Sequence, residues 1–137
     1  MSADEADALA MPLILLVEDE PLIREMLVEA LEDAGYSTLV AGDAHRAVEL
    51  LEENGDEIRG LVTDINLDDG MDGWELARAA REQASDLPVV YVSGASGHEW
   101  ASRGVPNSLM IAKPFAPAQV VVAISSLLVA ADTMPSA

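Results

Sequence analysis

Hydrophobic positions along this chain follow two patterns that alternate from one end to the other. Continuous apolar runs of strand length predict buried strands, at 13–17, 38–41, 61–63, 88–92 and 109–112. Apolar residues at helical spacing predict helices between and after them, at 21–34, 44–54, 74–83 and 116–131. The segment 95–107 contains two glycines and a proline, so any helix in it should be short. This alternation predicts an α/β fold, a five-stranded parallel sheet with helices on both faces.

Helix ends carry signals of their own. Pro21 suits the first turn of a helix, where a backbone N–H is not needed, and Gly35 is a C-terminal stop. Asp43 is a suitable N-cap for the second helix. These residues support the boundaries of the first two helices.

Length and composition fit one domain. A chain of 137 residues is too short for two ordinary domains. Half of the residues are apolar and only 4% are aromatic, so the core should be aliphatic, as in a buried parallel sheet. The first eleven residues carry three acidic and no basic side chains, the wrong charge for a targeting peptide. We expect a disordered leader at 1–11, a folded domain at 12–131 and a short tail at 132–137.

The charge and the lack of cysteine exclude several classes of protein. Seven basic residues against 25 acidic ones give a formal net charge of −18, which would repel the phosphates of nucleic acids. Without cysteine there is no disulfide, thiol nucleophile or thiolate metal site, which fits a cytoplasmic protein. The apolar stretch 118–131 is shorter than the ~20 residues of a membrane span and contains three polar residues. We expect neither a nucleic-acid partner nor a membrane anchor.

Polar groups suited to phosphoryl chemistry follow four of the five predicted strands. Glu18 and Asp19 follow the first strand, Asp64 the third, Ser93 the fourth and Lys113 the fifth. The carboxyl ends of parallel strands meet at one edge of an open sheet, where α/β proteins bind their ligands. We therefore expect these side chains to converge on one site.

Asp64 is the candidate nucleophile, because a carboxylate can attack phosphorus and form an aspartyl-phosphate. The alternative is a helix cap or turn, where aspartate is common. Glu18 and Asp19 would add two negative charges beside it, which is unfavourable unless a cation neutralises them. Mg²⁺ is the natural candidate, since it binds carboxylates and phosphate oxygens. Alternatively, the acidic run 18–20 serves only to stabilise the N-terminus of the following helix.

Lys113 and Ser93 complete the predicted site. The ammonium group of Lys113 could stabilise charge on a transferred phosphoryl group and pair with Asp64 before transfer. The hydroxyl of Ser93 could hydrogen-bond the phosphoryl group and draw its loop inward. A surface lysine and a turn serine are the alternatives. The bond between Lys113 and Pro114 is a candidate cis peptide.

The histidines and tryptophans are not expected at this site. His45 and His98 have no partner at the spacing of a metal site or a catalytic pair, so both should be surface residues. Trp74 and Trp100 should be packing groups, although Trp100 could belong to a partner surface.

From Leu13 to Ala131 the chain resembles the receiver domains of two-component response regulators. The resemblance rests on five motifs in the family's order: Leu-Val-Glu-Asp-Glu-Pro from 16, Thr-Asp-Ile-Asn from 63, Met-Asp-Gly-Trp-Glu-Leu from 71, Val-Ser-Gly from 92 and Lys-Pro-Phe from 113. It implies a flavodoxin-like fold with strand order 2-1-3-4-5.

The resemblance also implies a role for each site residue. Asp64 would be the phosphoacceptor, Ser93 the switch hydroxyl and Lys113 the family's characteristic lysine. Glu18 and Asp19 would hold Mg²⁺ together with Asp64 and the backbone carbonyl of Asn66.

Four features depart from the usual pattern. Glu18 replaces a more common aspartate, and the loop 67–71 is one residue longer than usual and lacks a proline. Met110 stands three residues before Lys113, where an aromatic switch residue is common, so a rotating ring at that position cannot carry the signal. The segment between Ser93 and Lys113 is shortened, so a regular fourth helix is not expected.

The resemblance implies that the protein accepts a phosphoryl group from a histidine kinase or a histidine phosphotransfer protein and hydrolyses it slowly. It would therefore be a signalling phosphoacceptor and not an enzyme that acts on another substrate. No output domain follows the last helix in this sequence, so we expect output by contact with an unknown protein, by phosphorelay or by removal of phosphate from another regulator. The protein should be a monomer or a weak dimer. Apolar residues of the last helix could support a dimer, but most should cover the sheet: Val120, Val121, Ile124, Leu127 and Leu128.

Two other readings remain open. A degenerate receiver could bind partners without phosphorylation, although no residue of the acidic pocket is missing. A phosphohydrolase of the haloacid dehalogenase type would need a second aspartate two residues after the nucleophile as general acid, and Asn66 stands there.

Overall fold

The computed structural model describes residues 11–67, 70–94 and 97–133. The predicted leader and tail therefore lie almost entirely outside the described residues. The elements follow in the order β1 Leu13–Val17, α1 Pro21–Asp33, β2 Ser37–Ala41, α2 Ala44–Asn54, β3 Ile58–Asp64, α3 Gly73–Gln83, β4 Val89–Ser93, a 3₁₀ turn Gly97–Glu99, α4 Trp100–Arg103, β5 Ser108–Ala112 and α5 Pro117–Thr133.

The five strands form one parallel sheet in the order β2-β1-β3-β4-β5. Both the sheet type and the strand order implied by the resemblance are confirmed. Because all strands run the same way, their C-terminal ends meet at one edge, and the loops that follow them share one side of the molecule.

The sheet separates two apolar clusters, and alternate residues of each buried strand enter opposite ones. On β1, Leu15 and Val17 join the cluster that includes side chains of α2 and α3. Ile14 and Leu16 join the cluster that includes side chains of α1 and α5. Helices therefore cover both faces, as predicted. The apolar residues of α5 pack in the second cluster or against it, as predicted: Val120, Val121, Ile124, Leu127 and Leu128.

The third strand is longer than the predicted run 61–63, since it begins at Ile58. Gly60 interrupts the apolar pattern, and Arg59 beside it is exposed. A Cβ atom at Gly60 would lie 3.0 Å from methyl carbons of both Ile14 and Ile124. The glycine allows β1 and α5 to approach β3 closely, a requirement that the local pattern does not reveal.

The helix ends agree with the signals in the sequence. Pro21 begins α1, and Gly35 follows it with a φ of 97°. The Asp43 side chain accepts a hydrogen bond from the backbone N–H of Arg46 at 2.8 Å and caps α2. Asp72 caps α3 in the same way, at 2.9 Å from the N–H of Glu75, so this helix begins one residue earlier than predicted.

The segment after β4 contains only short helical pieces, as expected from its glycines and proline. Trp74 is buried with its ring centroid 4.6 Å from that of Tyr91, which confirms it as a packing group. Trp100 is 37% exposed and donates its indole N–H to Ser108 Oγ at 2.9 Å. His45 and His98 are exposed, as expected. None of the described helices is long and apolar enough to span a membrane.

Candidate functional site

The register of the sheet brings the predicted residues together. Val17 pairs with Thr63, so the residues that follow them, Glu18 and Asp64, leave neighbouring strands at the same level. On the other side of β3, Asp64 pairs with Val92. Ser93 is the next residue of β4, and its carbonyl accepts the backbone N–H of Lys113 at 2.8 Å.

Three carboxylates form an acidic cluster at this edge. One oxygen each from Glu18, Asp19 and Asp64 lies within 4.8 Å of the other two. Glu18 and Asp64 are buried, with 1% and 6% exposure, while Asp19 is exposed. The N–H of Glu18 continues the pairing of β1 with β2 by donating to the carbonyl of Ala41 at 3.1 Å. Asp19 is therefore the exposed member of the cluster.

The carboxylate of Asp64 is held on both oxygens. Oδ1 accepts the backbone N–H of Asn66 at 3.2 Å, and Oδ2 accepts from Lys113 Nζ at 3.2 Å. The peptide between Ile65 and Asn66 is also fixed, because the N–H of Gly73 donates to the carbonyl of Ile65 at 2.8 Å. The start of α3 thus braces the loop that carries the candidate nucleophile.

Lys113 is the cation of the cluster. Its Nζ lies 3.2 Å from Asp64 Oδ2 and 3.5 Å from Glu18 Oε1. The Lys113–Pro114 peptide is cis, as predicted. Burial opposes the charge of the ammonium group, but Asp64 and Glu18 together raise the pKa of Lys113 above its ordinary value. The lysine therefore stays charged, yet one ammonium cannot neutralise three carboxylates.

The carboxylate of Glu18 is the least satisfied group of the site. Oε2 accepts the N–H of Glu20 at 3.1 Å, whereas Oε1 is buried and has no hydrogen-bond partner beyond the ion pair with Lys113. Burial, and secondarily the charge of Asp64, raises the pKa of Glu18 to about 7. This oxygen lies beside two other carboxylates and accepts no hydrogen bond. Together the three carboxylates provide the oxygen ligands that a hard divalent cation prefers.

Replacing Glu18 with glutamine should stabilise the metal-free protein more at about pH 8 than at about pH 5.5. The pKa of about 7 lies above the ordinary value of 4.5, so between these values the folded protein holds a proton that the unfolded chain has released. Folding stability therefore decreases as the pH rises through this window, and the Glu18→Gln variant lacks that decrease.

Urea unfolding in the presence of a chelator measures this effect. The difference in unfolding free energy between variant and wild type should grow by about 1–3 kcal/mol from the lower to the higher pH. Glu20→Gln is the matched control, because Glu20 is exposed outside the cluster. A difference that stays constant with pH would show that the pKa of Glu18 is ordinary.

The remaining residues singled out in the sequence lie on β4, on β5 and in the loop after β3. Ser93 is buried, with 1% exposure, at the end of β4. Asn66 is exposed and lies two residues after Asp64. Met110 pairs with Tyr91 in the sheet and packs against the cluster of α2 and α3. The hydroxyl of Tyr91, a residue of β4, accepts the N–H of Val105 at 3.1 Å. This hydrogen bond fixes the Tyr91 ring against the segment before β5.

Arg24 is a site residue that the sequence analysis missed. Its Nη1 donates to the backbone carbonyl of Glu18 at 3.2 Å. Arg24 is one of only seven basic residues and lies six positions after Glu18, near the start of α1. That rarity was the available signal, but the contact depends on how α1 packs beside β1.

Comparison with known proteins gives a consistent result. The sequence model of the response regulator receiver domain matches residues 14–125. The chain is 37% identical over 120 residues to the response regulator receiver protein CpdR of Brucella abortus, covering 86% of this chain and 98% of CpdR. It is 33% identical over 118 residues to the sensor kinase CckA of the same species, covering 84% of this chain but only 12% of that kinase.

A solved structure supports the same assignment. The crystal structure of a response regulator receiver protein from Sinorhizobium medicae superimposes with a TM-score of 0.85 at 42% identity, covering 89% of this chain and 98% of that one. The parallel sheet, its strand order and the acidic residues at its C-terminal edge agree with this likeness. On these grounds the chain belongs to the family of response regulator receiver domains.

Proposed function

We propose that residues 12–131 form a phosphoacceptor domain of two-component signalling, which takes a phosphoryl group onto Asp64 from the phosphohistidine of a histidine kinase or phosphotransfer protein. The observation that carries this proposal is the position of Asp64. Its carboxylate is buried at the C-terminal edge of the sheet, 3.2 Å from Lys113 Nζ and inside the acidic cluster. A carboxylate nucleophile needs to be held beside a cation in this way, and buried charged groups beside a specific partner are frequent at functional sites.

In the proposed reaction, a carboxylate oxygen of Asp64 attacks phosphorus and forms an acyl phosphate. The bond from phosphorus to the histidine nitrogen breaks, and the imidazole takes up a proton from solvent. Lys113 already donates a hydrogen bond to Asp64. Its ammonium group is therefore close enough to stabilise the negative charge on an oxygen of the transferred phosphoryl group. The domain thus contributes positioning and electrostatic stabilisation.

Mg²⁺ is the proposed cofactor. The carboxylates of Glu18, Asp19 and Asp64 and the backbone carbonyl of Asn66 would hold it, and the orphaned Oε1 of Glu18 fits such a role. When bound, the ion supplies positive charge that offsets the charge of the phosphoryl oxygens. The three carboxylates and Lys113 leave a formal charge of −2 at the site, which a divalent ion would balance.

Ser93 is the proposed link between phosphorylation and conformation. Its hydroxyl lies on the strand beside Asp64, and the carbonyl of the same residue holds the N–H of Lys113. A hydrogen bond from this hydroxyl to the phosphoryl group would shift the chain after β4. Since Met110 occupies the usual aromatic position, we assign the output change to the segment 97–107.

The comparisons support a role in kinase signalling. CpdR is a receiver protein matched over 98% of its length, and CckA is a sensor kinase that contains a related segment. We infer that this domain receives phosphate from a kinase pathway and signals by protein contact or by passing the phosphoryl group on to a histidine.

Incubation with Mg²⁺ and acetyl phosphate, followed by intact mass measurement, tests the proposal. We expect a single phosphoryl adduct that needs Mg²⁺, is lost in the presence of a chelator and maps to the peptide containing Asp64. The absence of both an adduct and Mg²⁺-dependent binding of beryllofluoride would contradict the proposal. The degenerate binding scaffold would then be the better account.

A further inference from the structure

Arg24 fixes the backbone on one side of the acidic cluster. Its Nη1 donates to the carbonyl of Glu18 at 3.2 Å, while the N–H of Glu18 donates to the carbonyl of Ala41 at 3.1 Å. Arg24 is itself anchored in the first turn of α1, where its own N–H donates to the carbonyl of Glu20 at 2.9 Å. The peptide groups before and after the Glu18 side chain are therefore both held.

Arg24 contacts the carbonyl of Glu18 although several carboxylates lie nearby. Arg24 lines a surface groove of about 310 Å³ together with four carboxylates, those of Glu25, Glu29, Glu32 and Asp33. Among the residues that the structure describes, none of these forms an ion pair with Arg24. The guanidinium group instead reaches the main chain of Glu18, where it can set the direction of the acidic turn.

Gly42 provides the space that this contact needs. A Cβ atom at position 42 would lie 3.3 Å from Arg24 Nη1, so a side chain there would push the guanidinium group by a few tenths of an ångström. Gly42 directly follows β2, next to Ala41, the residue that holds the N–H of Glu18. The end of β2 and the start of α1 thus hold Glu18 from two directions.

We propose that Arg24 is a positioning residue for the Mg²⁺ site, an inference that rests on the function proposed above. Mg²⁺ demands nearly ideal octahedral geometry, so small shifts of its carboxylates lower its affinity. The Glu18 carboxylate has two contacts, one with the N–H of Glu20 in the same turn and one with Lys113, and Oε1 accepts no hydrogen bond. The orientation of the Glu18–Asp19 turn therefore depends on its backbone, and Arg24 holds the carbonyl of that turn.

Positioning and simple electrostatics predict opposite results for this residue. A cation near the site repels Mg²⁺, so removing its charge should strengthen binding if charge were its only effect. Removing a residue that orients metal ligands typically weakens binding. The sign of the change therefore distinguishes the two roles.

Calorimetric titration of Mg²⁺ into the Arg24→Gln variant is the test. We expect about tenfold weaker binding than in wild type, and partial recovery in Arg24→Lys, whose ammonium group can still donate to the carbonyl. Arg46→Gln is the control, since it makes the same change of charge at an exposed residue of α2 that pairs with Glu49 and Glu53. Its affinity should match wild type.

Gly42→Ala gives an independent test that leaves Arg24 in place. It should weaken Mg²⁺ binding slightly in wild type and add nothing in the Arg24→Gln background, because both changes act on the same contact. Unchanged or stronger binding by Arg24→Gln, or additive effects of the two substitutions, would overturn the role of Arg24. A wild-type protein that does not bind Mg²⁺ at all would overturn the metal site as well, so the two failures are distinguishable.

Discussion

Replacing Asp64 with asparagine should abolish phosphorylation by acetyl phosphate and leave the fold intact. An amide is not a nucleophile toward phosphorus, so the adduct should fall to background. The amide oxygen can still accept the N–H of Asn66, which preserves the local hydrogen bond. Lys113 keeps Glu18 as an ionic partner. The lost ion pair and the relieved repulsion between Asp64 and Glu18 act in opposite directions, so stability should change by no more than about 1 kcal/mol.

Asp86→Asn is the matched control for this experiment. Asp86 is an exposed carboxylate that precedes β4, at the edge of the sheet opposite Asp64. The control makes the same chemical change and should be phosphorylated like wild type. Intact mass reports the adduct, and urea unfolding reports the stability of each variant. A persistent adduct on Asp64→Asn would mean that another residue accepts the phosphoryl group.

The convergence of the site residues could be predicted from sequence because it follows from one property of the sheet. Once the apolar runs are parallel strands, the residues directly after them must share an edge. Glu18, Asp64, Ser93 and Lys113 needed no knowledge of side-chain packing to be placed there. The cap at Asp43 was predictable for a similar reason, because it is a local interaction within three residues.

The features that the sequence did not reveal all depend on contacts between different elements. The true start of β3 was hidden by Gly60, whose role depends on Ile14 and Ile124 from β1 and α5. The raised pKa of Glu18 depends on its burial, which the pairing of its N–H with β2 helps to set. The contact between Arg24 and the carbonyl of Glu18 depends on the angle at which α1 leaves β1. Periodicity describes single elements and does not contain this information.

Gly73→Ala should destabilise the protein by about 2–4 kcal/mol, because it forces a side chain against the backbone of the loop that carries Asp64. A Cβ atom at position 73 would lie 2.8 Å from Cα of Ile65 and closer still to the carbonyl oxygen of Asp64. Both are main-chain atoms, which cannot rotate away as a flexible side chain could. The N–H of Gly73 also donates to the carbonyl of Ile65, so any retreat of α3 would break that bond.

The same strain should reach the chemistry, because the loop that must give way carries Asp64. We therefore expect slower phosphorylation of Gly73→Ala even under conditions in which the variant is folded. Urea unfolding measures the first effect, and the rate of adduct formation measures the second.

Gly94→Ala separates crowding at Gly73 from a general cost of replacing glycine near the site. The nearest atoms to a Cβ at position 94 are side-chain carbons of Lys113, at 3.9 and 4.0 Å, which is ordinary van der Waals contact. This variant should remain within about 1 kcal/mol of wild type, since the added methyl group makes only ordinary contacts and restricts the unfolded chain. Equal losses in the two variants would contradict the steric argument. A loss confined to Gly73→Ala would show that the start of α3 must lie directly against the backbone of Asp64 and Ile65, which couples the fold of this helix to the position of the Asp64 carboxylate.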